Sequence, residues 1–453
     1  MSRAMPPGPR LFPSIRHLFA FDKDPLAFLT QLHRTYGEIA SFTIAGTPIY
    51  AVFNPVDIEQ LLTGHFKHYV KDRGTRVMTR VLGNGLLTSE GDFHRRQRQR
   101  VQPAFHHQRL QAYAETMVEA TDRVHSRWID GEVLDIHAEM MRAALFIVSK
   151  ALLGGEVGDA EVHEIAQSLE VILGRFSIGR IPLIPLMSVL PLPTTFAFYR
   201  ARAKVDAILS GIIQARRQRT IDTGDLLSML LTSQDDERTA MTDAQLRDEM
   251  MTLFLAGHET TANALSWAWY LISQHPEVEA RLHAEIDAAL KGRRPTVADL
   301  PQLSYTRAIF AEAMRLFPPA WTVARETMTP VTMRDVAIPK GALVVASQWV
   351  VHRSPVYFEE PERFEPERFL ADRKAKIPRF AYFPFGGGSR ICVGEQFAWM
   401  EGTLVLARIA QFWRARIEPG RVVVPEPRVT LRPQGGMRVT LERRRTGLAS
   451  VAA

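Results

Sequence analysis

One long apolar run of helix-forming residues constrains this chain more than any other feature. It opens at Thr242-Asp243-Ala244-Gln245, a Thr-x-x-Gln capping box, and continues to about Gln274, just ahead of Pro276. Thirty-odd residues rising 1.5 Å each span roughly 48 Å, enough to cross a whole domain. A membrane span fits poorly, because His258, Glu259, two threonines and Asn263 fall in the middle of the apolar stretch 250–272. The run therefore predicts a buried central helix with a functional interruption halfway along it.

The remaining pattern is mostly helical. Residues 24–36 read as a helix capped by Asp24 with Pro25 in its first turn, and 38–53 alternate around Gly46-Thr47-Pro48 as a hairpin. Helical periodicity fills about 94–230, interrupted where Pro182, Pro185, Pro191 and Pro193 stud an apolar stretch. That stretch reads as an ordinary packed loop, the cover of an apolar pocket, or a peripheral contact with a membrane. Further helices are predicted over 276–291, 302–316 and from Gly394 to Phe412, with short strands in 331–350. No helix–strand rhythm appears, so the fold class is mainly α with minor β (α+β), not a doubly wound sheet. Length alone suggests about three domains. With no repeat or Gly/Ser linker, one domain over 1–453 is the expectation.

Charge and cysteine usage narrow the chemistry. Lys and Arg (56) exceed Asp and Glu (49) by seven, which suits acidic proteins, nucleic acid or anionic lipid and selects none of them. The single cysteine, Cys392, rules out an intrachain disulfide, a zinc site with two or more cysteines and a four-cysteine iron–sulfur cluster. It also suits a reducing compartment. The amino end, Met5-Pro6-Pro7-Gly8-Pro9, carries no apolar h-region, so no cleaved signal and no transmembrane anchor are expected, and the location is read as cytoplasmic.

Around the cysteine the chain reads Phe385-Gly386-Gly387-Gly388-Ser389-Arg390-Ile391-Cys392-Val393-Gly394. The glycines permit tight turns and close approach of a bulky planar group. The helix that follows places Cys392 at an N-terminus, where amides and dipole favour a thiolate. A nucleophile, a buried structural thiol and an axial metal ligand all remain open. A phosphate loop does not, since no Gly-Lys-Ser/Thr closes the glycines.

The segment resembles the heme-binding signature Phe-x-x-Gly-x-x-x-Cys-x-Gly of the cytochrome P450 family at Phe385, Gly388, Cys392 and Gly394. The resemblance implies heme b (iron protoporphyrin IX) with Cys392 as proximal thiolate, Phe385 near the sulfur and Arg390 reaching a propionate. A second stretch, Ala256-Gly257-His258-Glu259-Thr260-Thr261, resembles the family's distal-helix motif. A zinc-protease His-Glu-x-x-His is excluded there, because Ala262 stands where the second histidine is needed. By resemblance Thr260 hydrogen-bonds the oxygen being activated and Glu259 helps deliver protons.

Glu312-Ala313-Met314-Arg315 matches the family's Glu-x-x-Arg motif, and Pro366-Glu367-Arg368-Phe369 its Pro-Glu-Arg-Phe stretch. The resemblance implies a buried network of Glu312, Arg315 and Arg368. Pro361-Glu362-Arg363-Phe364 is a decoy with the same four letters, set aside by its spacing to Cys392. His94 and Arg98, four residues apart, resemble the helix that clamps propionates, and Arg325 the arginine reaching one from a strand.

The resemblance covers nearly the whole chain and implies a monooxygenase that takes O2 and a long or bulky apolar substrate. No dinucleotide fingerprint accompanies it, so no fused reductase is expected. Electrons would come from a ferredoxin or flavodoxin with an NAD(P)H-dependent reductase, steered by the basic stretch 91–110 and by Arg408, Arg414 and Arg416. No nucleic-acid-reading motif is present. Candidate substrate contacts are Leu253, Phe254, Ala256, Gly257, Trp321, Thr322 and Val323. Lys71, Arg73, Arg76 and Arg80 border the expected entrance, which favours a fatty acid, with a carotenoid or other terpenoid as the alternative and a non-catalytic heme sensor third.

Overall fold

The computed structural model describes residues 6–9, 15–44, 46–64, 66–154, 158–174, 192–218, 224–233 and 240–445. The proline-studded stretch at 181–191, with the membrane contact expected of it, lies outside these residues. Helices predominate and strands are short. Among the described residues, no helix is long and apolar enough to cross a membrane.

The long helix runs Asp243–Gln274, 32 residues. Its capping box closes both ways: the Gln245 amide donates to the Thr242 hydroxyl at 3.2 Å, and the Thr242 amide to Gln245 Oε1 at 2.8 Å. Helices Ile136–Leu153, Ser304–Leu316 and Glu395–Ala410 pack directly on it. Trp267 and Trp269 anchor its second half, both almost wholly buried. Burying side chains of that size is worth about 3 kcal/mol each, so the helix is held by packing rather than by propensity.

Beside the helices lies a five-stranded sheet in the order Ile39–Ile44, Thr47–Val52, Leu343–Ala346, Val323–Thr327, Tyr69–Lys71. Only the Thr47–Val52 and Leu343–Ala346 pair is parallel. The edge register sets Lys71 opposite Arg325, two cations side by side. The predicted strands of 331–350 are a small pair, Val331–Met333 with Val336–Ile338, then Leu343–Ala346. A short helix, Gln348–Val351, ends the stretch where a strand was expected. Two late features went unforeseen. One is a three-stranded sheet joining Val133–Asp135, Arg438–Arg443 and Trp413–Arg416; the other is a hairpin, Pro425–Pro427 with Leu431–Pro433.

Candidate active site

Cys392 sits just before helix Glu395–Ala410, its amide donating to the Phe385 carbonyl at 3.0 Å. Protein atoms surround the sulfur, yet the side chain keeps open surface. A group both enclosed and accessible borders an internal space. Ala256 shows the same combination: it is exposed in the middle of the long helix while residues 253–255 and 258–259 are buried.

Burial pushes the Cys392 thiol up to about 11, against the pull of the Gly394 amide and Arg98. Desolvation opposes ionisation here, while the Gly394 amide favours the thiolate as expected. Gly386 and Gly388, both at positive φ, make the tight turn expected of the glycines. Gly388 has φ +66°, and a Cβ there would lie 2.0 Å from the Leu62 carbonyl oxygen; one on Gly387 would meet the Phe380 ring at 2.5 Å. They let the loop press against the protein itself. The Phe385 ring packs against Trp399, 5.4 Å between centroids.

Cations gather beside the sulfur. Arg98, on helix Gly91–Val101, donates to the Ile391 carbonyl at 2.7 Å. Arg390 donates to the Ser89 carbonyl at 2.7 Å and pairs with Glu90. Arg325 is buried and, among the described residues, bonds only the Ala324 carbonyl, at 2.9 Å. Lys71 joins them: burial, Arg325 and Arg390 bring its ammonium down to about 7. Burial with the neighbouring cations brings His94 down to about 3, so its ring is neutral. Among the described residues, no carboxylate lies within ion-pair distance of Arg98, Arg325 or the Lys71 amine. Half-buried Lys71, Arg98 and Arg390 and buried Arg325, with Glu90 and Asp72 as the nearby carboxylates, are expensive unless an anionic ligand completes them. This cradle fits a group bearing carboxylates, and the enclosed sulfur above it fits a metal. Lys71 and Glu90 were not assigned to the cradle from sequence; a lysine in a three-residue strand opposite Arg325 is the signal that was available.

On the other side, Thr260 back-bonds to the Ala256 carbonyl at 2.6 Å. Glu259 turns away from it and accepts from the Thr430 hydroxyl at 2.6 Å, and Asn263 Nδ2 donates to that same hydroxyl at 3.0 Å. Burial raises the Glu259 carboxyl, while Thr430, Arg432 and Arg428 pull it back. Neither Thr430 nor Asn263 was picked from sequence as part of the site.

Three substrate-contact candidates also make packing contacts with the protein. Phe254 is 1% exposed within the core. Gly257 abuts helix Ile136–Leu153, where a Cβ would come within 2.8 Å of Val148 Cγ2. Trp321 is buried and ties its indole to the Arg428 carbonyl at 3.0 Å. Leu253 is also buried, while Thr322 and Val323 are half-buried beside the sheet. Several of the cations singled out from sequence have carboxylate partners. Arg73 and Arg76 are occupied by Glu326. Arg408 is buried on Asp122, and Arg414 and Arg416 share Glu279, so the basic surface expected there is largely neutralised.

Glu312 and Arg315 meet in two bonds of 2.7 Å, both fully buried. Arg315 also donates to the carbonyls of His352, Pro361 and Arg363, and Arg368 lies 3.5 Å from Glu312. The decoy Arg363 offers only its carbonyl; its side chain is exposed on Glu360.

Set beside known proteins, the model of the family described as Cytochrome P450 matches residues 6–440. Cyclooctatin synthase of Streptomyces melanosporofaciens is 37% identical over 429 residues, 94% of this chain and 93% of its own. Pentalenene oxygenase of Streptomyces avermitilis is 33% identical over 444 residues, 97% of this chain and 98% of its own. The solved structure of a cyanobacterial relative with retinoic acid bound has a TM-score of 0.86 at 27% identity, covering 98% of this chain and 100% of that one. With its mainly helical fold, enclosed cysteine and matching length, the chain belongs to the cytochrome P450 family.

Proposed function

We propose that this protein is a heme-thiolate monooxygenase acting on an apolar isoprenoid, with Cys392 as the axial ligand. The observation that carries the reading is the enclosed yet open Cys392 sulfur beside a buried cradle of cations short of carboxylates. When bound, heme b supplies the oxidant that puts one atom of O2 into a C–H bond and releases the other as water, using two electrons and two protons. Lys71, His94, Arg98, Arg325 and Arg390 would hold its carboxylates. Thr260 would offer a hydroxyl to the oxygen being activated, and Glu259 would supply protons to it. Glu312, Arg315 and Arg368 keep the cysteine loop docked. The chain acts as one heme domain, and a separate ferredoxin or flavodoxin with its NAD(P)H-dependent reductase supplies electrons.

Two observations favour an isoprenoid over a fatty acid. The entrance cations Arg73 and Arg76 are already neutralised by Glu326, and Lys71 belongs to the cradle. The relatives' names point to pentalenene as a substrate of one and to retinoic acid as a ligand of another. The test is titration of the heme-loaded protein with retinol, retinoic acid, lauric acid and methyl laurate, followed by turnover under labelled O2. Retinoids that shift the spin state and gain one labelled oxygen support the reading. Laurate bound far more tightly than its methyl ester would restore a carboxylate anchor and a fatty-acid substrate.

A further inference from the structure

The tip of the hairpin Pro425–Pro427/Leu431–Pro433 is pinned on both sides by indoles. Trp321 donates to the Arg428 carbonyl at 3.0 Å and Trp267 to the Leu431 carbonyl at 3.1 Å, while the Leu431 amide donates to the Pro319 carbonyl at 2.9 Å. Between those fixed points Thr430 is buried against the long helix. Its hydroxyl accepts from Asn263 Nδ2, so its single proton is directed to Glu259 Oε1. Asn263 is itself wholly buried, and its Oδ1 has no partner among the described residues. A well-packed apolar core does not need such a trio, since a threonine bonding a carboxylate in the interior costs desolvation that a valine of the same shape would avoid.

We propose that Thr430 is a positioning residue for proton delivery: its hydroxyl, oriented by Asn263, holds the Glu259 carboxylate on the hairpin side of the wall and sets how readily that carboxylate releases and regains its proton. The inference rests on the reading of Glu259 as the proton carrier. The charged groups facing Glu259 are Arg428 and Arg432 of the hairpin, with Glu426 bridging those two arginines, and Glu170 on helix Asp159–Leu173. Thr430 acts with the arginines to favour the ionised form against burial. Without it, the limb of the pH profile that reports Glu259 moves to higher pH.

The experiment compares the heme-loaded wild type with Thr430→Val, Thr430→Ser and Glu259→Gln. The substrate is whichever of retinol, retinoic acid and geranylgeraniol gives the largest spin shift. Product per NADPH consumed and hydrogen peroxide released are followed from about pH 6 to 9. Thr430→Val is expected to lose about tenfold in coupling, the order of one hydrogen bond to a charged group, and to raise the pH limb. The peroxide-driven reaction, which needs no proton delivery to O2, keeps its rate, and Thr430→Ser restores the coupling. Thr430→Ala replaces the valine variant if that one fails to load heme. Unchanged coupling in Thr430→Val beside a defective Glu259→Gln overturns the inference alone. Unchanged coupling in Glu259→Gln overturns the reading beneath it. Equal loss of the peroxide-driven and NADPH-driven reactions, unrescued by serine, assigns Thr430 a purely structural role and also overturns the inference.

Discussion

The cysteine loop and the acid-bearing turn of the long helix are held in different ways. Beneath the loop, Glu312 and Arg315 exchange two hydrogen bonds, and three backbone carbonyls take up the rest of the guanidinium. The Glu365 amide donates to Glu312 at 3.0 Å, and the Phe383 amide to His352 Nε2 at 3.0 Å. Glu259 and Thr260, in contrast, each rest on one short contact. On the proposed reading the difference is apt: a ligand that must stay put would be over-determined, whereas groups that pass protons would need few bonds to break. Preorganisation on one side and mobility on the other follow from how many partners each side chain has.

Breaking the contrast at the sulfur has the largest expected effect. Cys392→Ser should abolish the thiolate-type spectrum of the reduced carbon monoxide complex and lower turnover by at least about a thousandfold. An intact thiolate spectrum would refute the ligand assignment. Next comes Arg315→Ala, which leaves Glu312 buried without its partner; about 3–5 kcal/mol of stability should go, read by denaturant unfolding and heme loss. Thr260→Ala should leave that stability almost unchanged and instead divert electrons to hydrogen peroxide, lowering coupling about tenfold. If both variants fail in the same assay, the two sides are not separable.

Acid sharpens the comparison, because each side carries a buried neutral imidazole. Burial lowers His258, on the long helix, to about 4 and holds His352, under the loop, well below its ordinary value. The unfolded chain takes up protons as pH falls through about 6.5, but the folded one does not until about 4. Stability from His258 is therefore complete above about pH 6.5 and is lost progressively toward pH 4. Thermal melts of the wild type and His258→Gln across that window should converge as pH falls. The smallest effect is expected at the rim, where Arg73→Ala should change stability by no more than about 0.5 kcal/mol, since its pair with Glu326 is half exposed.

Much of this was legible in the sequence. The capping box at Thr242 and Gln245 and the proline at 276 bracket the long helix as observed. Spacing to Cys392 singled out Arg368, which lies near Glu312, over Arg363, which faces solvent. What stayed hidden has a common cause. Thr430 and Lys71 matter through partners 171 and 254 residues away, Glu259 and Arg325, and no local pattern encodes such a pairing. The same holds for Gly388, whose crowding by Leu62 comes from a distant helix. For the candidate pocket residues the sequence is silent on a different point. Helical periodicity names a face of the long helix, but Gly257 and Phe254 meet neighbouring elements there, and only the packing reveals which part of that face stays open.

The order in which the cradle's members appear along the chain has a consequence for biosynthesis. Lys71, His94 and Arg98 precede Arg325 and Arg390 by more than 200 residues, and Thr430 comes later still. At roughly 5–20 residues per second, the first cations wait on the order of ten seconds to a minute for the rest to leave the ribosome. On the proposed reading, cofactor capture is a late step of making this protein, and a nascent chain stalled before residue 325 would carry only Lys71, His94 and Arg98 of the five, with nothing to close the cavity.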